Sequence, residues 1–222
     1  MEHMEYMETL SLSGLFSAID PRELSGLLNC IQARYVKYKK DDFVIEKGST
    51  VSEFGLILTG QCCSLKWDAS GRRVILTFIE KGMLIGLMIA AKEGHSSPVS
   101  VQATEDSYIM LIPFARIISP CSKDCHRHRR LLTNYISALA EKGLELHERI
   151  NCLLEPSVRD KIMTYLSRIS KEQESRTFAI PINRNAMAEY LNIERSALSR
   201  ALSGMKKDGL IDYHKNLFKL RG

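Results

Sequence analysis

The chain of 222 residues lacks any long apolar run. Its longest, Met83 to Ala91, spans nine residues, whereas a helix needs about 20 to cross a bilayer. The opening residues, Met1-Glu2-His3-Met4-Glu5-Tyr6, lack the basic flank and apolar core of an export signal. A cytoplasmic location with no membrane partner is therefore expected. Without export, the six cysteines are not expected to form a disulfide framework. Enzyme signatures are missing as well. No G-x-S-x-G, phosphate-cradling loop or H-E-x-x-H stretch occurs. The β-rich region offers only His95, where a metal-dependent enzyme barrel needs two or three His and a Glu. The chain is not expected to be an enzyme.

What is present is the composition of a globular protein, with 45% hydrophobic and 26% charged residues. The formal net charge of +5 is unevenly spread. Glu155 to Gly222 holds 13 Lys and Arg against 8 Asp and Glu, while Met1 to Leu154 holds 18 of each. A small basic segment on a neutral body points to a polyanion at that end, with a solvated basic face as the bland alternative.

Short strands are expected at Val36–Lys39, Phe54–Leu58, Cys63–Trp67, Val74–Ile79 and Tyr108–Ile112. Gly48, Gly60, Gly71 and Gly82 punctuate them at intervals of 12, 11 and 11, the spacing of an all-β sandwich or barrel. Asp68-Ala69-Ser70-Gly71 reads as a hairpin turn. After Pro120 the period changes. Leu132, Ile136, Leu139, Gly143, Leu146, Ile150 and Leu153 fall at alternating spacings of four and three. That is the seam of a dimerisation helix, weak at Gly143. The alternative is a helix packed on its own domain. Pro156 breaks the helix. Helices are expected at Val158–Ser170, Arg184–Leu191 and Arg195–Asp208, then a hairpin turning near His214-Lys215-Asn216. The reading is an α+β chain: a sensor β-roll over residues 1–130, a dimerisation helix over 131–154, and a winged helix-turn-helix over 155–222.

The C-terminal order carries the functional reading. A helix-turn-helix needs a small residue for close packing, a turn residue four positions on that accepts a left-handed backbone, and an apolar anchor six further. Ala188, Asn192 and Leu198 meet that spacing, and Asn tolerates the left-handed region. Asn183 suits the cap of the first helix. The second helix presents Arg195, Ser196, Ser199 and Arg200 on one face. Arg reads guanine bidentately in the major groove, and Ser reaches bases or phosphates. Lys206 near the helix end suits a phosphate or water. The partner expected is double-stranded DNA.

The run from Pro181 through Asn183-Arg184, Met187-Ala188-Glu189-Tyr190-Leu191-Asn192-Ile193-Glu194-Arg195-Ser196-Ala197-Leu198-Ser199-Arg200 to Lys207-Asp208-Gly209-Leu210-Ile211 resembles the signature of the Crp–Fnr regulator family. Roll, long helix and winged module follow in that family's order, so the resemblance covers nearly the whole chain. It implies a jelly roll of the cyclic-nucleotide-binding type, a homodimer on pseudo-palindromic operators, and contact with RNA polymerase if the protein activates. Ser196 departs from the pattern, because many members carry Glu there to accept from cytosine.

The same resemblance frames the sensor. Gly82-Met83-Leu84-Ile85-Gly86-Leu87 resembles the start of the cyclic-nucleotide cassette and Ser97-Pro98-Val99-Ser100-Val101 its end. The Glu that holds ribose hydroxyls is replaced by Leu87, and the phosphate-pairing Arg by Ser97. Binding of cAMP or cGMP is therefore not expected. Met83, Leu84, Leu87 and Met88 suit either an apolar effector or a core. Oxygen-sensing members hold an iron–sulfur cluster on several N-terminal cysteines. Only Cys30 lies in the first 61 residues, so that cluster is not expected. Cys121-Ser122-Lys123-Asp124-Cys125-His126-Arg127-His128 concentrates two thiols and two imidazoles. Cys121, Cys125, His126 and His128 suit a soft metal, a redox-active thiol pair beside basic residues, or a polar turn with incidental cysteines.

Overall fold

The structure, a computed structural model, describes residues 6–69, 71, 73–92, 94–119, 126–180 and 182–221. It divides into two compact units, 1–142 and 143–222.

The first unit begins with three short helical pieces that the strand-centred sequence reading passed over: α1 (Met7–Leu12), a 3-10 turn (Gly14–Phe16) and α2 (Pro21–Cys30). Asp20 starts α2 by accepting from the Arg22 amide at 2.8 Å, with Pro21 at the first helical position. Eight strands follow: β1 (Arg34–Tyr38), β2 (Phe43–Ile45), β3 (Glu53–Thr59), β4 (Cys62–Trp67), β5 (Arg73–Ile79), β6 (Leu84–Ile85), β7 (Ser100–Ala103) and β8 (Ser107–Pro113). They form two antiparallel four-stranded sheets, in the orders β1-β8-β3-β6 and β2-β7-β4-β5. The short helix α3 (Leu87–Ala90) follows β6, and α4 (Phe114–Ile118) follows β8.

The middle strands explain why the sequence reads as continuous apolar runs. On β3 and β8, Phe54, Leu56, Leu58, Tyr108, Met110 and Ile112 pack into one cluster with α1 and α2. Ile57, Ile109 and Leu111 face the other way, into the layer between the sheets with Ile45, Ile79, Ile85 and Val101. Both faces of these strands are buried, so period-two alternation in polarity vanishes. At Gly55 a Cβ would lie 2.9 Å from the Ile109 side chain, so only glycine fits there.

The long helix α5 (His126–Leu154) starts five residues before the expected 131. Leu131 and Tyr135 are buried in the roll's cluster, with Leu132, Ala138 and Leu139 packed against it. From Gly143 onward the helix belongs to the second unit, where Cys152 is buried among Ile162, Tyr165 and Leu166.

The second unit continues with α6 (Val158–Glu172), β9 (Thr177–Ala179), α7 (Arg184–Tyr190), α8 (Arg195–Lys207), β10 (Ile211–His214) and β11 (Leu217–Leu220). Its sheet runs β10-β11-β9, all antiparallel. The third strand, β9, was not expected; its three residues carry too little pattern to read. Lys215 turns the hairpin with φ of 51°.

Candidate nucleic-acid interface

The geometry of the helix-turn-helix follows from its sequence. Asn183 caps α7, its side-chain oxygen accepting from the amides of Asn185 and Ala186, both at 3.0 Å. At the other end Asn192 has φ of 51°. Around it the Ile193 amide donates to the Ala188 carbonyl at 2.9 Å and the Asn192 amide to Glu189 at 3.1 Å. This is the double bond pattern of a helix stop with a left-handed residue just past the end. Ala188 is buried at the packing point, and Leu198 is completely buried on α8 with Leu202 and Met205. Gly209 stops α8 in the same manner, with φ of 74° and a 3.0 Å bond from the Leu210 amide to Met205.

With that apolar face pinned inward, the opposite face of α8 is set. Arg195, Ser196, Ser199 and Arg200 are all exposed. Ser196 lies 3.4 Å from the Glu194 carboxylate, which precedes the helix. Neither Arg195 nor Arg200 forms an ion pair among the described residues. Their guanidiniums present forked donors to solvent, the geometry that suits phosphate oxygens and guanine edges.

Lys206 does something other than the sequence suggested. Its ammonium lies 2.7 Å from the Asp212 carboxylate, donates to the Tyr213 carbonyl at 3.3 Å and sits over the Tyr213 ring. Asp212 also holds Arg221 at 2.7 Å, and the bond to Lys206 leads the causes that lower its carboxyl pKa. Lys206 thus ties α8 to the hairpin. Lys207 beside it is also exposed and forms no ion pair among the described residues. Sequence reasoning also missed Arg184. Its guanidinium lies over the rings of Tyr213 and Phe218, 4.8 and 4.5 Å from their centroids, and donates to the Lys215 carbonyl at 2.8 Å. It clamps the hairpin onto the first helix of the motif. No linear pattern marks a contact across 31 residues.

The expected helix seam divides. Leu132 and Leu139 pack against the roll's own core and Leu153 is half-buried, while Gly143 is exposed. Ile136, Leu146 and Ile150 are 57%, 40% and 52% exposed, joined by Leu144 and Leu154, which the heptad reading left out.

The four apolar cassette residues divide too. Leu84 and Leu87 pack in the roll's cluster, whereas Met83 and Met88 are exposed. They do not share one lining because α3 turns between them after Gly86, whose φ is 69°. Ser97 is buried, its hydroxyl donating to the Val99 carbonyl at 2.6 Å. Cys121 and Cys125 lie outside the described residues. Of their neighbours, His126 is exposed, 3.6 Å from Glu23, while His128 is buried with Nδ1 3.9 Å from the Cys30 sulfur. The two imidazoles therefore face different partners on α2.

A β-roll followed by a long helix and a basic winged module with an exposed Arg-Ser face defines a DNA-binding transcription regulator. Comparison with known proteins agrees. The cyclic nucleotide-binding domain family matches residues 35–124, and the Crp-like helix-turn-helix domain family matches 160–221. The transcriptional activator protein FnrA of Stutzerimonas stutzeri is 23% identical over 219 residues, covering 95% of this chain and 86% of that protein. The transcriptional activator protein anr of Pseudomonas aeruginosa is 25% identical over 179 residues, covering 78% of this chain and 70% of its own. A CooA variant from Carboxydothermus hydrogenoformans has the same fold, with a TM-score of 0.65 at 16% identity and 95% coverage of both chains. The chain belongs to the Crp–Fnr family of transcription regulators. It is not an enzyme. Among the described residues no helix is long and apolar enough to cross a membrane.

Proposed function

We propose that this regulator acts in the cytoplasm as a homodimer that reads pseudo-palindromic operators through α8, under the control of a signal received by residues 1–130. The observation that carries the reading is the exposed Arg195–Ser196–Ser199–Arg200 face on a helix whose rotation is fixed by the Asn192 turn. Arg200 takes a base edge, Lys207 takes phosphate, and Lys206 acts through the hairpin. Dimerisation along α5, within residues 131–154, is supported by the exposed ridge of Ile136, Leu146 and Ile150, which a monomer would leave in water. RNA polymerase is a further partner if the outcome is activation.

The signal is not cAMP. The side chain of Leu87 is in the core and offers no acceptor for ribose hydroxyls, and Ser97 brings no positive charge. The segment of Cys121, Cys125, His126 and His128 is the proposed receiver, by soft-metal binding or thiol oxidation, because it leads directly into α5. The two imidazoles face Glu23 and Cys30 respectively, which argues that at most one of them serves such a site.

The test is a DNA-binding titration over a range of salt. Affinity that falls steeply and linearly with the logarithm of salt concentration supports the reading. Absence of salt-sensitive DNA binding at 50 mM salt would overturn it.

A further inference from the structure

A second basic feature lies in the first unit. The first two turns of α5 read His126-Arg127-His128-Arg129-Arg130, and no acidic residue stands in the first turn. Cations are disfavoured at the start of a helix, where the backbone dipole is already positive, and Arg127 and Arg130 sit one turn apart with like charge. Left alone, this arrangement weakens the helix that joins the two units.

The structure places a cleft of about 420 Å³ at that point, lined by Ala18, Ile19, Glu23, Arg127, Arg129 and Arg130, with His126 and Thr133 at its sides. That is the size of an ordinary small-molecule site. Among the described residues, the guanidiniums of Arg127 and Arg130 face the carboxylate of Glu23 there. Glu23 is loosely held, 3.7 Å from Arg127 and 3.6 Å from His126, beyond normal hydrogen-bond length. Among the described residues the Nε of Arg127 is buried with no hydrogen-bond partner, an orphaned charged donor of the kind that native structures rarely leave. Arg130 reaches the Ser17 carbonyl through Nε at 3.4 Å, and among the described residues the rest of its fork makes no hydrogen bond or ion pair. Ala18 and Ile19 supply a short apolar wall.

We propose that this cleft binds a small oxyanion of charge about −2, a phosphoryl or dicarboxylate group, whose oxygens pair with Arg127 and Arg130 and relieve the repulsion at the start of α5. Forked Arg donors match both kinds of oxyanion. The site uses none of the residues of the cassette that begins at Gly82 or of the DNA-reading face, so occupancy stabilises α5 without engaging either.

The experiment measures the thermal midpoint and the calorimetric binding of the full chain with inorganic phosphate or succinate, against sodium chloride at matched ionic strength. With a dissociation constant of about 1 mM, 10 mM of the better probe raises the midpoint by about 2–4 °C. The stronger probe identifies the phosphoryl or the dicarboxylate class. Arg130→Gln loses at least fivefold in affinity. Thr133→Glu, which carries its own carboxylate into the cleft, raises the midpoint without any probe and abolishes the response to it. Because phosphate also suits a DNA-binding face, Arg200→Ala is the control, and it retains the full response. Three results would each overturn the proposal: no effect beyond chloride in the wild type, a response that survives in Arg130→Gln or Thr133→Glu, or a response lost in Arg200→Ala.

Discussion

The phenol of Tyr135 donates a 2.6 Å hydrogen bond to the main-chain carbonyl of Leu87. The bond joins the long helix to the cassette at the point where a cyclic-nucleotide receptor would place its ribose acceptor. Tyr135 is wedged against Phe54 and Phe114, with ring centroids 4.9 and 5.4 Å away. Burial pushes its phenol well above the usual tyrosine range, so it stays a donor at every working pH. Tyr135→Phe should therefore lower stability by about 1 kcal/mol, read from urea denaturation. A change below about 0.3 kcal/mol would mean that the carbonyl finds water as readily.

Dimerisation is tested best at Ile150. Leu139 packs against the roll's own core, so a charge there would damage the fold along with any interface. Ile150 is 52% exposed, and Ile150→Asp should leave a folded monomer in sedimentation at micromolar concentration. A wild-type chain that is itself monomeric there would contradict the dimer.

The turn of the DNA-reading motif depends on Asn192. Its left-handed backbone costs a β-branched residue about 1–2 kcal/mol, so Asn192→Val should destabilise the C-terminal unit by that amount while Asn192→Gly stays near neutral. Melting of the two variants decides. Equal losses would place the effect in the Asn side chain instead of the backbone.

Much of this was legible in the sequence because local rules and tertiary packing agree. Asn183, Asn192 and Gly209 punctuate the winged module as their types dictate, and the glycines at 48, 60, 71 and 82 all have positive φ. Short strands with too few residues for a period, β2, β6, β7 and β9, were not legible. Nor were α1 and α2, whose apolar residues serve the roll. The seam on α5 was only half readable. A heptad marks apolar spacing but does not say which neighbour covers it, and for Leu132 and Leu139 that neighbour is the chain's own roll. The tie from Lys206 to the hairpin was not legible for a related reason, since its partner Asp212 lies beyond the helix.

Thiol chemistry gives a pH prediction. Desolvation pushes the Cys62 thiol up to about 11 and raises that of Cys152 as well. At pH 8 only about one Cys62 in a thousand is thiolate, the reactive form. Iodoacetamide at pH 8 should spare both until the protein is unfolded, as read by peptide mass spectrometry. Because the folded thiol of Cys62 holds its proton to higher pH than the unfolded one, its contribution to stability is present below about pH 9 and is lost as the pH rises through 11. Labelling of Cys62 in the native state at pH 8 would contradict its burial.

Arg200 is the most direct test of how DNA is read. Binding-site selection on the wild type should return a pseudo-palindrome with half-sites about one helical turn, roughly 34 Å, apart. Arg200→Ala should lose about 1–3 kcal/mol of affinity and relax the preference at one base pair in each half-site, whereas Lys207→Ala should weaken all sequences alike. If Arg200→Ala selects the same motif with unchanged affinity, α8 does not read the major groove.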